Sequence, residues 1–277
     1  RAEEWLSSTP KHLILYNAFG WKPPEFAHLP LILGLDRSKL SKRHGATGAL
    51  AFRDEGYLPE AMLNFLALLG WNPGTDQEIF SLEELVKAFS LDAVNTSGAI
   101  FNRGKLDWMN GMYLRKLSIA AFAECAKPFI TEIVSLKSGD TISGEFIARA
   151  LVTVQERVKR LNELPALTHF YFTQPRYSTK LLLWKDETAN IAAGQLSQLL
   201  KFYEQSSFTW DKKTLEEKTK DFIAKEQAQT GEVLWPMRVA LSGEKASPGP
   251  FEIAEVIGKQ ETIERLKIAI DKFQVAD

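Results

Sequence analysis

The strongest constraint on this chain is the spacing of its apolar residues, which recur at intervals of three and four along most of its length. Ile147, Ala150, Leu151, Val154, Val158 and Leu161 form the longest such stripe, and residues so spaced share one face of a helix. Ser81-Leu82-Glu83-Glu84 is a capping-box sequence that opens another, with Leu82, Leu85, Val86 and Phe89 at i, i+3, i+4 and i+7. Thr9 followed by Pro10 predicts a helix that Gly20 stops, and Pro59 to Leu69, with Gly70 after it, repeats the device. Further helices are predicted over Asp186 to Tyr203, Lys212 to Ala228, Pro236 to Leu241 and Gln260 to Phe273. Strand alternation is scarce, with His28 to Leu33 the best candidate. No internal repeat is visible.

Turn chemistry divides this helical array. Asn72-Pro73-Gly74-Thr75 reads as a loop within a domain, and 135–144 is polar and rich in Gly and Ser. A cap-like Ser118 starts new helical periodicity, and Thr173-Gln174-Pro175-Arg176 breaks it again. The predicted division is therefore 1–117, 118–175 and 176–277. The 277 residues, 45% hydrophobic and 25% charged, suit a soluble chain of about two domains. No apolar run approaches the roughly 20 residues that span a bilayer. The start, Arg1-Ala2-Glu3-Glu4-Trp5, has neither an initiator Met nor a signal-peptide pattern, so the chain is expected to begin inside a longer protein.

The single cysteine, Cys125, excludes an internal disulfide and a cysteine zinc site, and among Phe122, Pro128 and Phe129 it is expected to be a small buried hydrophobe. Four scattered histidines, at 12, 28, 44 and 169, offer no metal-ligand spacing, and no metal site is expected. With a net charge of −1, any affinity for a polyanion has to come from local patches.

One such patch stands out in Asp36-Arg37-Ser38-Lys39-Leu40-Ser41-Lys42-Arg43-His44-Gly45. Four cations fall between 37 and 43, with hydroxyls between them and glycines at 45 and 48. A basic loop of this kind can wrap an oligophosphate. It can equally be a solvated surface loop.

The order of its residues adds to this. Lys39-Leu40-Ser41-Lys42-Arg43 resembles the Lys-Met-Ser-Lys-Ser signature of class I aminoacyl-tRNA synthetases, in the Lys-(Ile/Leu)-Ser-Lys-Arg form of the bacterial-type glutamyl enzymes. The flanks continue the resemblance. Upstream lie Arg1 to His12, Ala18-Phe19-Gly20-Trp21 and His28-Leu29-Pro30-Leu31. Downstream lie Gly56 to Ala61, Asn64-Phe65-Leu66 and Lys105 to Gly111, similar to that family's stem-contact region. Pro236 to Gly243 and Ser247 to Ile253 are similar to its anticodon pocket. The resemblance is collinear over essentially the whole chain. It implies a mainly α fold: the end of a class I Rossmann catalytic domain with signature loop and stem-contact region, then an α-helical anticodon-binding region of two subdomains.

The resemblance also implies chemistry. The family makes glutamyl-adenylate from glutamate and ATP and passes glutamate to the terminal adenosine of its tRNA. By similarity, Lys42 touches the ATP phosphates while Lys39, Ser41 and Arg43 hold the loop and add donors. Glu4, Trp5 and Ile32 match nucleotide-contacting positions, although Trp5 can equally be core. Arg1 matches the arginine that binds glutamate, a role suited to a bidentate guanidinium; the plain alternative is a solvated terminal residue. Arg157, Arg238, Ser247 and Pro250 match positions that meet the anticodon. On a continuous helix, at about 100° per residue, Arg157 lies about 20° from Ala150, at the edge of the apolar face. Ser247 to Pro250 can also be a helix-capping turn.

Mg²⁺ is implied with ATP, with no ligand for it in this chain. The implied partner is the glutamate tRNA, with glutamate and ATP as substrates, no membrane, a monomeric state and a cytoplasmic location. The rival readings are a non-discriminating glutamyl enzyme that also charges glutamine tRNA, and a helical RNA-binding adaptor without chemistry. An enzyme that glutamylates a tRNA base lacks such a helical region, and a purely structural scaffold leaves the loop unexplained. The His-Ile-Gly-His-type motif and the acceptor-binding insertion are absent from these 277 residues. Isotopic ATP–pyrophosphate exchange by this chain alone is therefore expected at background, and clear exchange would contradict that expectation.

Overall fold

The computed structural model describes residues 1–41, 48–135 and 143–274. These form two compact units. The first comprises Arg1–Lys116 with Lys159–Asn162, and the second Leu117–Val158 with Glu163–Asp277.

In the first unit a 3₁₀ turn, Glu3–Ser8, leads into α1 (Thr9–Ala18). β1 (Ile32–Leu33) pairs in parallel with β2 (Ala99–Ile100), Ile32 opposite Ala99 and Leu33 opposite Ile100. Part of the His28 to Leu33 strand expectation thus holds, with Leu29 bridged to Ala2. The unit further holds α2 (Ala49–Asp54), α3 (Pro59–Gly70), α4 (Leu82–Ala88) and α5 (Arg103–Lys116), with α3 packed against β2, α4 and α5. Proline in the first turn of α3 loses no helical bond, and the Ser81 box closes as read: Ser81 N–H donates to Glu84 and Glu84 N–H to Ser81 Oγ. Phe52, Tyr57, Phe65, Leu106 and Met109 form one core, and Trp71, Phe80 and Leu85 a second. Of the α4 stripe only Leu85 joins a core; Leu82, Val86 and Phe89 are exposed, Val86 by 72%. Periodicity marks which face is apolar, not whether anything covers it.

Two residues tie the first unit together. Gly56 has φ 87°, and a Cβ there would stand 2.4 Å from the Leu161 backbone nitrogen. Leu161 N–H donates to Gly56 carbonyl at 3.2 Å. Asn110 is fully buried; its Oδ1 accepts from Leu58 N–H at 2.8 Å, and its Nδ2 donates to the carbonyls of Gly56 and Lys159. Such a side chain is stable inside only because every polar atom is paired.

The second unit contains α6 (Ile119–Ser135), α7 (Gly144–Val152), α8 (Leu164–Phe172), α9 (Ala189–Gln205), α10 (Lys212–Lys225), α11 (Thr230–Ser242) and α12 (Pro250–Gln274). Side-chain caps start several of them: Ser118 accepts from Ala121 N–H, Ser143 from Phe146 N–H, Asp211 from Thr214 N–H. One buried cluster runs through Ala150, Tyr171, Leu196, Tyr203, Met237, Leu241 and Leu266.

Three expectations need correction. The 147–161 stripe is not one helix: α7 stops at Val152. Thr153 Oγ1 donates to the Ala150 carbonyl and meets Tyr171 Oη at 2.8 Å, and tight bonds such as Arg157 N–H to Val154 carbonyl turn the chain. A hydroxyl competing for the helix's own carbonyl favours such an end. Val154, Val158 and Leu161 are buried all the same, so burial produced the spacing without a continuous helix. Second, α11 begins six residues before Pro236, at a box in which Gln229 N–H donates to Glu232, and α12 begins at Pro250 with a backbone break at Gly258, φ 83°. Third, Cys125 is half-buried rather than buried. The polar gap at 135–144 lies mostly outside the described residues.

Gly56→Ala combines a left-handed φ with a clash against backbone, which cannot move aside as a side-chain end can. It should destabilise the chain by about 2 kcal/mol or more in urea unfolding; a midpoint equal to the parent's would contradict this packing. Hydrogen bonds from Thr214 N–H, then from the Thr209 and Thr214 hydroxyls, hold the Asp211 carboxyl at about 2. A lowered carboxyl contributes stability above its ordinary value of 3.8 and loses it as pH falls towards 2. Carboxyl titration by NMR should place its midpoint near 2, and a midpoint at the ordinary value would exclude the cap.

Candidate functional site

In the first unit the chain turns sharply after β1. Arg37 takes a positive φ of 61° and Asp36 Oδ1 accepts from Ser38 N–H at 3.0 Å. Gly34 N–H donates to Ser38 carbonyl, and Leu40 N–H to Ile32 carbonyl at 2.9 Å. This turn folds Lys39-Leu40-Ser41 back alongside Ile32, so the basic segment leaves from a fixed β pairing. Lys39 Nζ forms an ion pair with the Glu4 carboxylate. Both groups are solvent-exposed, so the pair contributes little to stability; its consequence is to orient two charges.

Arg1 is held too. Its guanidinium donates to Thr9 Oγ1 at 2.8 Å, meets His12 Nδ1 at 2.7 Å and lies 4.8 Å from the Phe26 ring centre. Leu29 N–H donates to its carbonyl. Arg1, Glu4, Ile32 and Lys39 all line one cleft of about 920 Å³, whose far wall is apolar: Leu63, Leu66, Leu85, Val86 and Phe89. Trp5 does not line it; it is 48% exposed, its ring 6.2 Å from that of His12, so the core reading fails for it. Ser41 is half-buried. Lys42 and Arg43 lie outside the described residues.

In the second unit Arg157 sits on the turn after α7, exposed, so the helical-angle argument for its direction does not apply. Arg238 lies one turn before the end of α11, half-buried, and Ser242 Oγ donates to its carbonyl at 2.8 Å. Gly243, φ 75°, ends that helix. Ser247 to Pro250 follows as a capping turn for α12. Ser247 is buried and its hydroxyl donates to Pro248 carbonyl, while Pro250 is buried in the first turn. Backbone, more than side chain, is therefore what this turn offers.

Glu252 had no signal except its place as the third residue of the helix. Its carboxylate accepts from Gly249 N–H at 2.7 Å and from Lys212 Nζ at 2.6 Å. Burial opposes its ionisation. The Lys212 and Gly249 bonds, with the charges of Lys212 and Arg157, outweigh burial and hold the carboxyl below its ordinary value. Arg265 was missed altogether. Only 3% exposed, it donates from Nη1 to the carbonyls of Phe170 and Leu241 and from Nε to Glu261. Its sequence signal is a charge at the centre of a face shared with Thr262, Leu266 and Ala269, all buried.

The family described as "tRNA synthetases class I (E and Q), catalytic domain" matches residues 1–108, and "Anticodon binding domain" matches residues 121–270. The chain belongs to the class I tRNA synthetases of the E and Q group. Curated relatives within it are named glutamate–tRNA ligase. The one from Dehalococcoides mccartyi strain CBDB1 is 42% identical over 99% of this chain and 56% of its own length. That from Thermodesulfovibrio yellowstonii is 39% identical over 98% and 58%. The crystal structure of a glutamate tRNA ligase from Elizabethkingia meningosepticum, in complex with its amino acid, superposes with a TM-score of 0.77 at 32% identity, covering 98% of this chain and 56% of that one. The chain thus spans a little over half the length of these relatives. No helix among the described residues is long and apolar enough to cross a membrane.

Arg265→Met should cost about 2–4 kcal/mol in denaturant unfolding, because it leaves two buried carbonyls without donors. Arg157→Met, at an exposed side chain without a hydrogen bond among the described residues, should change stability by less than about 0.5 kcal/mol. Equal effects of the two would contradict the division of roles.

Proposed function

We propose that this chain works within a glutamate–tRNA ligase, contributing part of the adenylate site from its first unit and anticodon recognition from its second. We assign 1–117 to the end of the catalytic domain with its stem-contact region, and 118–175 and 176–277 to two anticodon-binding subdomains that share one buried core. The observation that carries this reading is the convergence of Arg1, Glu4, Ile32 and Lys39 on one cleft, at the root of the basic loop.

The chemistry asked of these residues is positioning and charge stabilisation. A glutamate carboxylate oxygen attacks the α-phosphorus of ATP, the bond to the bridging oxygen breaks, and pyrophosphate leaves with its electron pair. The terminal hydroxyl of the tRNA then attacks the mixed anhydride and AMP departs. Negative charge grows on the leaving phosphates in the first step, where Lys42 and Arg43 act, with Lys39 oriented by Glu4 at the base of the loop. Arg1, already fixed by Thr9 and His12, presents a guanidinium suited to a carboxylate. Trp5 lies beside this constellation as a nucleotide contact. Mg²⁺ enters with ATP as part of the substrate. The reaction belongs to the cytoplasm, with the protein as a monomer.

For the second unit the reading is recognition of the glutamate anticodon by Arg157, Arg238 and the Ser247 to Pro250 turn. Glutamate anticodons end in C and glutamine anticodons in G. Cytosine's pairing edge offers two acceptors and guanine's only one, facing outward beside two donor groups. A guanidinium has donors only, so it favours C and is repelled by G. An adaptor without chemistry would leave the Lys39–Glu4 pair and its cleft unexplained.

In the complete enzyme, Lys42→Ala should lower the rate of adenylate formation on the order of 10²-fold with little change in glutamate binding. Rapid-quench measurement of a single turnover decides this, and an unchanged rate would reduce the loop to surface.

A further inference from the structure

The arginines of the second unit fall into two kinds. Arg149 donates to the Val256 carbonyl at 3.2 Å, and Arg265 is buried against two helix ends. The guanidinium groups of Arg157, Arg238 and Arg176 make no hydrogen bond or ion pair among the described residues. Two of these three are already anticodon candidates; Arg176 is the third, and nothing in the sequence pattern singles it out.

Its surroundings do. Arg176 is exposed on an extended segment between α8 and the 3₁₀ turn at Thr179–Leu182. That segment is anchored on both sides: Pro175 is buried, and Tyr177 carries Lys272 over its ring at 5.1 Å. It lies directly against the end of α11. A Cβ on Gly243 would stand 3.2 Å from Pro175 Cβ and 3.5 Å from the Arg176 carbonyl. Gly243 is five residues after Arg238 and four before Ser247. The segment thus sets the Arg176 backbone beside the joint from which the capping turn departs, with an exposed side chain that has no polar partner among the described residues.

We propose that Arg176 binds a backbone phosphate of the anticodon loop, beside the bases taken up by Arg157, Arg238 and the Ser247 to Pro250 turn. This rests on the anticodon reading above. A long cation with no partner among the described residues, on a backbone packed against the end of α11, suits a phosphate, which needs charge and reach more than a set angle. Base discrimination stays with Arg157, so Arg176 contributes affinity without sequence preference.

The test is binding of a short RNA hairpin carrying the glutamate anticodon loop to the full chain, by fluorescence anisotropy over a salt series. Arg176→Gln should weaken binding roughly tenfold and reduce the slope of log K against log salt by about 0.7 to 1, the release of one counterion. Arg176→Lys should restore the slope. Lys225→Gln, the same charge change at an exposed site on α10, should alter neither. If Arg176→Gln binds like the parent while Arg238→Gln is weakened, the proposal fails and the anticodon reading stands. If Arg176→Gln and Lys225→Gln weaken binding equally, only net charge matters and the proposal fails. If the parent does not bind the hairpin, the anticodon reading fails and takes the proposal with it.

Discussion

Arg265 does in the second unit what apolar packing alone cannot. A helix ends with four carbonyls that its own backbone leaves without donors. Where such an end is buried, water cannot supply them, and each orphaned group is costly. Here α8 and α11 both end inside the protein, and one guanidinium reaches Phe170 of the first and Leu241 of the second while Glu261 balances its charge. Two helix C-termini also favour a cation electrostatically. Everything placed by these ends follows from that arrangement: the Pro175 to Tyr177 segment after α8, and Gly243 with the turn to Pro250 after α11. Glu252 closes the same turn from the other side through Gly249 N–H and Lys212.

The first unit is organised differently. Buried amide chemistry at Asn110, with the left-handed Gly56, fixes how residues 159–162 lie against the start of α3. The short β1–β2 pair and the reversed Gly34 to Ser38 turn then fix the root of the basic segment. The phosphate-handling role proposed for this segment would need such a root, because the donors must reach outward while the backbone that carries them stays in register. The cleft at this root is strongly apolar on one wall. This explains why the α4 stripe looked like core in the sequence and is largely exposed in the fold.

Much of this was legible beforehand, for identifiable reasons. Helix starts were readable where a side chain supplies a missing acceptor, as at Ser81 and Ser118, or where proline sits in the first turn, as at Pro59. The basic segment stood out because its residue order carries the resemblance to the signature loop, while Lys42 and Arg43 themselves lie outside the described residues. The end of α7 was not, since burial kept the apolar spacing through Val154, Val158 and Leu161 after the helix had stopped. Pro236 misled because proline tolerated inside a helix looks like a helix start. Arg265, Glu252 and the anchoring of Arg176 depend on contacts between residues far apart in sequence, which no periodicity reports.

The proposed reading of a tRNA anticodon by the second unit rests on donor-only side chains, Arg157 foremost. The most direct measurement is aminoacylation of glutamate and glutamine tRNAs by the complete enzyme, parent and Arg157→Gln, at one salt concentration. Glutamine offers both a donor and an acceptor, so the ratio of kcat/KM for the C-ending over the G-ending anticodon should fall, by a factor corresponding to roughly 1–3 kcal/mol. Single-turnover adenylate formation should be little changed. A ratio that does not move would make Arg157 a surface residue and contradict the account.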